Sequence, residues 1–310
     1  MSTLSTFDAI DLFAGVGGSS EGARIAGVRV KWAANHWPLA VHYHSVNHPE
    51  ITHSCQDVNQ QDWGLVPAHD LQIASPSCTG HTLARGKDRP HHDMTRNTAW
   101  AVVQCAEYHR PQFGVTENVP EMLKWALFPA WEDAMRRLGY SVARYVIDAA
   151  DHGVPQHRKR LFLVWSQSKA PIQLRLPRRE HQAVANVIDW DYPTWSPVHT
   201  AKRKPATLRR IAAGRAAFGD RFVTPYYSKG SGLTGRSIHR PIGSLTTVDR
   251  WAVVDGDRMR MLQIHEAKAV MGMREDYALP STKREAMHLL GNGVCPPVMA
   301  DILTALRQAA

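Results

Sequence analysis

The stretch FDAIDLFAGVGGSSEG, residues 7–22, constrains this chain more than any other. A short apolar run ends in a cluster of glycines, and a small polar segment suited to a helix start follows. Gly15, Gly17 and Gly18 can take backbone conformations closed to other residues, so the chain can turn tightly there and approach a ligand. The same order, a short apolar run and then an amphipathic stretch, recurs as far as residue 165. It predicts strands at 7–13, 28–34, 70–75, 113–118 and 160–165 with helices between them, hence an α/β domain with a doubly wound, mostly parallel sheet. One helix is predicted over 129–138. Trp131, Met135 and Leu138 share a face, Pro129 suits the first turn and Gly139 suits the C-terminal cap.

Beyond residue 165 the pattern changes. Pro171, Pro177, Pro193, Pro197 and Pro205, a basic window and the segment SKGSGLTG (228–235) replace clean periodicity. A second, smaller, loop-rich domain is therefore expected at 166–258. Apolar periodicity returns over 258–273, and Met299, Ile302, Leu303 and Leu306 share a helical face behind Pro296 and Pro297. These assign 259–310 to the first domain, together with 1–165.

Charge narrows the partners. The net charge is +9, and between Lys169 and Arg221 eleven Lys/Arg face only four acids. Such a window is either a solvated surface or a site for a polyanion, where Lys and Arg displace counterions from phosphates. No apolar stretch approaches the ~20 residues that span a bilayer. Asp8 and Asp11 stand where a signal peptide is basic and then apolar, so no membrane association and a cytoplasmic, nucleoid-associated location are expected. The four cysteines, Cys55, Cys78, Cys105 and Cys295, include no Cys-x-x-Cys pair, and the 17 histidines show no His-Glu-x-x-His spacing. Neither a disulfide framework nor a metal is expected.

Several residues fall where strands end. Phe13 closes the first strand, beside a turn and helix N-terminus that would suit a nucleotide-type cofactor, although a glycine-rich first turn can be only a tight turn. Trp37, after the second strand, could stack on adenine or simply pack in a core. Asp57 could accept a hydrogen bond from an exocyclic amine or merely cap a turn. Cys78 follows Ser-Pro-Ser at the end of the 70–75 run, with Arg85, Lys87 and Arg89 close in sequence; a positive setting favours thiolate, whereas an ordinary cysteine is a core filler. Glu117 and Asn118 sit at the tip of the 113–118 strand, which in a parallel sheet emerges at the same edge. Arg158 and Arg160, two apart, would share one face of an extended segment.

Taken in order, these motifs resemble the DNA (cytosine-5) methyltransferases of bacteria and phages. The resemblance covers about 11–165 and 236–300. DLFAGVGG is similar to that family's S-adenosylmethionine loop, PSC to its nucleophile segment, ENV to its glutamate segment, QHRKR to its Gln-x-Arg-x-Arg, GNGV to its closing Gly-Asn-x-Val, and RPIGSLTTVDR (240–250) to the segment after its recognition region. The resemblance implies a Rossmann-like S-adenosylmethionine-dependent methyltransferase domain joined to a target-recognition domain. It implies cofactor contacts from Asp11, Phe13, Gly15, Gly17, Gly18, His36, Trp37, Asp57, Asn292 and Val294, with S-adenosylhomocysteine as the product. Cys78 would attack C6 of a flipped cytosine, Glu117 would bond to N3 and the exocyclic amine, and Arg160, with Arg158 near, would hold O2. The segment from Gly80 to Arg96 would close over the base. DNA is the implied partner, with a restriction endonuclease as counterpart.

Three positions depart from the family pattern. Ser77 replaces the proline before the cysteine, Thr79 replaces the following glutamine, and His36 stands where an acid grips the ribose. Three other readings compete: a tRNA methyltransferase of the same fold, a catalytically silent DNA-binding relative and, more remotely, a nicotinamide oxidoreductase. The last lacks the Gly-x-Gly-x-x-Gly register.

Overall fold

The computed structural model describes residues 7–77, 97–226 and 235–310. Contacts divide the chain into a unit formed by Met1–Asp148, Lys159–Arg178 and Gly293–Ala310, and a second formed by Ala149–Arg158 and Arg179–Asn292. These limits differ from the boundaries read in the sequence. Residues 149–158 and 259–292 group with the second unit, and 166–178 with the first. The strap 172–174 stays with the first unit because the Tyr145 hydroxyl donates to the Ile172 carbonyl (2.8 Å) and accepts from the Leu174 amide (2.9 Å).

The first unit is built on a seven-stranded sheet. Its strands are β1 (Asp8–Leu12), β2 (Arg29–Asn35), β3 (Thr52–Cys55), β4 (Leu71–Ala74), β5 (Phe113–Asn118), β6 (Ser141–Asp148) and β7 (Lys159–Ser166), in the spatial order β3-β2-β1-β4-β5-β7-β6. The first five run parallel, and β7 runs antiparallel to both β5 and β6. Five of the strands were expected from their apolar runs. β3, with the polar sequence THSC, and the alternating β6 were not, because edge strands need only one covered face. The helices are α1 (Gly18–Ile25), α2 (Pro38–Asn47), α3 (Thr98–His109) and α4 (Phe128–Arg137). Helix α4 falls on the predicted 129–138 stretch, with Gly139 at φ 89° behind it.

Close packing locks the sheet centre. A Cβ on Gly114 would lie 2.0 Å from the Trp165 ring, so only glycine lets that indole cross β5, and the Trp165 Nε1 donates to Thr116 Oγ1 at 3.1 Å. This lies within a core that also holds Trp131, Tyr140, Leu161 and Leu163.

The second unit contains β8 (Ser196–Pro197), α5 (Pro205–Phe218), β9 (Arg221–Pro225), β10 (Arg236–Ser237), β11 (Trp251–Asp255), β12 (Arg258–Met261), α6 (Ile264–Val270) and α7 (Lys283–Asn292). Its antiparallel sheet has the order β10-β9-β11-β12-β8. The apolar spacing over 258–273 thus spans a strand and a short helix, because Gly256 at φ 56° turns the chain so that 258–261 pairs back on 251–255. Phe222 is fully buried between Gly214 of α5 and Gly235, where side chains would come within 2.4 and 2.3 Å of its ring.

The chain ends in α8 (Pro296–Ala309), which belongs to the first unit and packs on α1. A Cβ on Gly22 would come within 2.6 Å of Met299, so the two helices approach as closely as backbones allow. The run Lys283–Ala309 has a mean hydropathy of 1.4 in its most apolar window, but 72% of that window is buried inside the protein.

Candidate active site

The carboxyl edge of the first unit's sheet gathers most of the residues singled out above. Beyond β1, Phe13 adopts φ 59°, Gly15 φ 57° and Gly17 φ 99°, and the Gly17 amide donates to the Ala14 carbonyl. Among the described residues nothing lies within 4 Å of the position a Gly15 Cβ would take, whereas a Gly18 Cβ would lie 2.2 Å from the Val294 carbonyl oxygen. The two glycine turns of the sequence therefore meet, with Val294 seated against the start of α1. Asn292, exposed at the end of α7, belongs to the second unit.

After β2, His36 is exposed, and the half-buried Trp37 donates its amide to Asn35 Oδ1 at 2.9 Å. Asp57 Oδ1 accepts from the Asn59 amide (3.0 Å) and side chain (2.8 Å), so this aspartate caps the turn that follows β3. Asp11 is fully buried. Its Oδ2 accepts from Ser20 Oγ at 2.8 Å, and burial pushes its carboxyl up to about 7 against the lowering effect of Ser20.

Cys78 and the segment 80–96 lie outside the described residues. The approach to the cysteine is well defined. The Ser75 amide donates to the Leu12 carbonyl, Asn118 Nδ2 donates to the Pro76 carbonyl at 3.1 Å, and the Ser77 amide donates to Thr98 Oγ1 at 3.0 Å. The last bond gives the serine at position 77 a physical role, since proline has no N–H to offer Thr98. The sequence reading missed Thr98, for a threonine at a helix start has many ordinary uses.

Glu117 stands at the tip of β5 with its side chain 9% exposed, and Arg160 approaches it from the start of β7, Nε to Oε1 3.2 Å. Register explains the meeting. Asn118 pairs with Leu161 in the antiparallel ladder, so the last residues of β5 and the first of β7 share one edge of the sheet. The Asn118–Pro76 bond brings the Ser75–Ser77 segment to that same edge.

Arg158, read in the sequence as a catalytic partner beside Arg160, is placed differently from it. It is 2% exposed, and its guanidinium donates to the carbonyls of Leu245 (3.0 Å) and Gly291 (2.8 Å), all in the second unit. The single extended segment assumed for the two arginines is broken: Gln156–His157 pairs with Ile242–Gly243, and the strand holding Arg160 starts afresh at Lys159. Gln156 grips the same stretch, its Oε1 accepting from the Leu245 amide at 2.7 Å. Replacing Arg158 with methionine leaves two buried carbonyls unpaired and is expected to cost about 2–4 kcal/mol. A lowered urea midpoint reads this loss.

Among the described residues, no group of three or more His, Cys, Asp or Glu is arranged to hold a metal ion. The basic window resolves into two kinds of side chain. Arg203 donates to the Pro197 and Val198 carbonyls, Arg210 to the Pro225 carbonyl, Arg215 to Gly256 and Asp257, and Arg221 to Asp255. The side chains of Lys202, Lys204 and Arg209, all exposed residues, form no hydrogen bond or ion pair among the described residues.

A family model described as C-5 cytosine-specific DNA methylase matches residues 7–308. The chain is 27% identical over 312 residues to the Type II methyltransferase M.NlaX of Neisseria lactamica, covering 98% of this chain and 97% of that protein. It is 24% identical over 317 residues to the Type II methyltransferase M.HhaI of Haemophilus parahaemolyticus, covering 94% and 92%. In fold it is similar to a candidate DNA modification methyltransferase encoded within an E. coli prophage, with a TM-score of 0.72, 19% identity and coverage of 98% and 99%.

Proposed function

This chain belongs to the C-5 cytosine-specific DNA methylase family, and we propose that it transfers a methyl group from S-adenosylmethionine to C5 of a cytosine flipped out of duplex DNA. The observation that carries the reading is the pairing of Glu117 with Arg160 at the edge where Asn118 and Thr98 hold the chain leading to Cys78.

C5 of cytosine is a weak nucleophile. In the proposed reaction the Cys78 thiolate adds to C6, which raises electron density at C5 while that carbon takes the methyl group. The C5 proton then leaves, and the Cys78–C6 bond breaks to free the enzyme. Glu117 bonds to N3 and the exocyclic amine, where proton demand changes as the ring becomes an enamine. Arg160 orients that carboxylate and donates to O2. Arg158 supports the stretch that leads into Arg160 by donating to the Leu245 and Gly291 carbonyls.

The donor supplies an electrophilic methyl group on sulfur. The residues present fit it: the positive-φ turn, the open space at Gly15, and the half-buried Phe13 and Trp37 offer a backbone cradle with aromatic faces. The second unit is the proposed target-recognition region, with DNA as partner and, following the Type II relatives, a cognate restriction endonuclease as counterpart.

The direct test offers labelled S-adenosylmethionine with duplex DNA and tRNA in parallel. Label at cytosine C5 in DNA supports the reading, and label only in tRNA, or in neither, rejects it. The free cations Lys202, Lys204 and Arg209 give a separate prediction. Changing all three to alanine is expected to weaken DNA binding at every sequence and to reduce the slope of log K against log salt by about 2–3. An unchanged slope would remove them from the phosphate contacts.

A further inference from the structure

A chain of hydrogen bonds runs from the root of the glycine turn toward the surface of the first unit. Asp11 Oδ2 accepts from Ser20 Oγ (2.8 Å), His44 Nε2 lies 3.1 Å from the same hydroxyl, and His44 Nδ1 lies 2.6 Å from His53 Nε2. Asp11, Ser20 and His44 are each at most 1% exposed, whereas His53 on β3 is only half-buried. We propose that His44 and His53 are positioning residues for methyl transfer, which through Ser20 set the charge of Asp11 and so the preference of the site for its cationic donor over its neutral product. The inference rests on the methyltransferase reading.

The direction of each bond follows from chemistry. When Asp11 is ionised, Ser20 donates to it, so Ser20 must accept from His44 Nε2–H, and His44 Nδ1 must accept from His53 Nε2–H. A proton taken up at Nδ1 of His53 reverses the row. His53 Nε2 passes its hydrogen to His44 Nδ1, His44 Nε2 passes its own to Ser20, and Ser20 passes its own to Asp11. One proton enters and one carboxylate is neutralised, with no heavy atom displaced. Burial holds His53 below the ordinary imidazole range, while a bond to the Ile51 backbone and the charge of Glu50 act the other way. Burial and the neighbouring His48 and His53 keep His44 uncharged, as a relay requires.

Charged groups also lie on the elements packed around the chain: on α8, against α1, Asp301 is buried and Arg307 donates to the Ala26 carbonyl. On α1, Glu21 pairs with Arg24 at 2.7 Å. On α2, His48 has its ring 5.0 Å from that of His44 and lies between Glu21 (4.0 Å) and Glu50 (3.8 Å). Strands β2 and β4 place only Ala33 and Ile73 opposite Asp11. S-adenosylmethionine carries a sulfonium charge that S-adenosylhomocysteine lacks, so an ionised carboxylate near the turn favours the donor selectively. Asp11, at about 7, changes charge within the working range. Its acidic form prevails below that value, so donor affinity falls as pH falls through it.

Calorimetric binding of both ligands between pH 6 and pH 8.5 tests this. In the unaltered protein the donor is expected to bind about tenfold more tightly at the alkaline end, the size of one unit charge acting over a nucleoside-scale distance, with product affinity flat. His44→Phe removes a donor to Ser20 and should shift the midpoint upward. His44→Gln keeps an amide at that place and should recover most of the affinity at pH 7.5. Asp11→Asn should leave donor binding weak and independent of pH. A donor-to-product ratio that does not change with pH, or a His44→Phe protein that loses both ligands alike, overturns the inference and leaves a packing role. Failure of the unaltered protein to bind either ligand overturns the methyltransferase reading first, and this inference with it.

Discussion

Replacing Cys78 with alanine is expected to abolish methyl transfer while leaving DNA binding intact. Losses for removed nucleophiles reach the order of 10⁶-fold, which here means no detectable product. The physical reason is the ring itself: without a bond at C6, electron density at C5 does not rise enough to displace the methyl group from sulfur. Alanine is smaller than cysteine and adds no charge, so an extruded base still has room. The measurement is trapping on duplex DNA that carries 5-fluorocytosine. Fluorine cannot leave C5 as a proton does, so the unaltered protein, supplied with S-adenosylmethionine, should remain covalently attached. An adduct that persists undiminished in the alanine variant would place the nucleophile elsewhere.

The second large effect belongs to Glu117 and Arg160. Glu117→Gln removes the group proposed to exchange a proton with the ring and is expected to lower kcat by about 10²–10⁴-fold. Arg160→Met removes the proposed donor to the ring oxygen and the cation 3.2 Å from Glu117 Oε1, with an expected loss of about 10²–10³-fold. Because the two side chains are in direct contact, their losses should not multiply. The double variant should be close to the worse single one, as for residues that act as a unit. Independent, multiplying losses in single-turnover methyl transfer would mean that the ion pair has no part in presenting the carboxylate.

Arg158 is the instructive contrast. It lies two residues from Arg160 in a motif that invites a shared role, and its guanidinium donates to the Leu245 and Gly291 carbonyls. Spacing of two implies a common face only where the backbone stays in one strand, and here a new strand begins between them. Asp57 was ambiguous in the same way, and its bonds to Asn59 show the capping alternative in place. The basic window was legible as an excess of charge. Only the contacts separate arginines that hold backbone carbonyls from Lys202, Lys204 and Arg209, because composition says nothing about where a long side chain ends.

By itself the sequence determined the alternation of strand and helix, the glycine turn after β1, the family and the carboxylate at the tip of β5. Those features are local: they depend on apolar period, on which residues tolerate positive φ, and on an ordered series of short motifs. Only the tertiary structure decided that Gly18 abuts Val294, that Thr98 and Asn118 hold the segment before Cys78, and that Ser20, His44 and His53 line up behind Asp11. Each of those contacts joins residues from different elements. A hydrogen bond of 3 Å between them depends on sheet order and helix packing, which no spacing along the chain encodes.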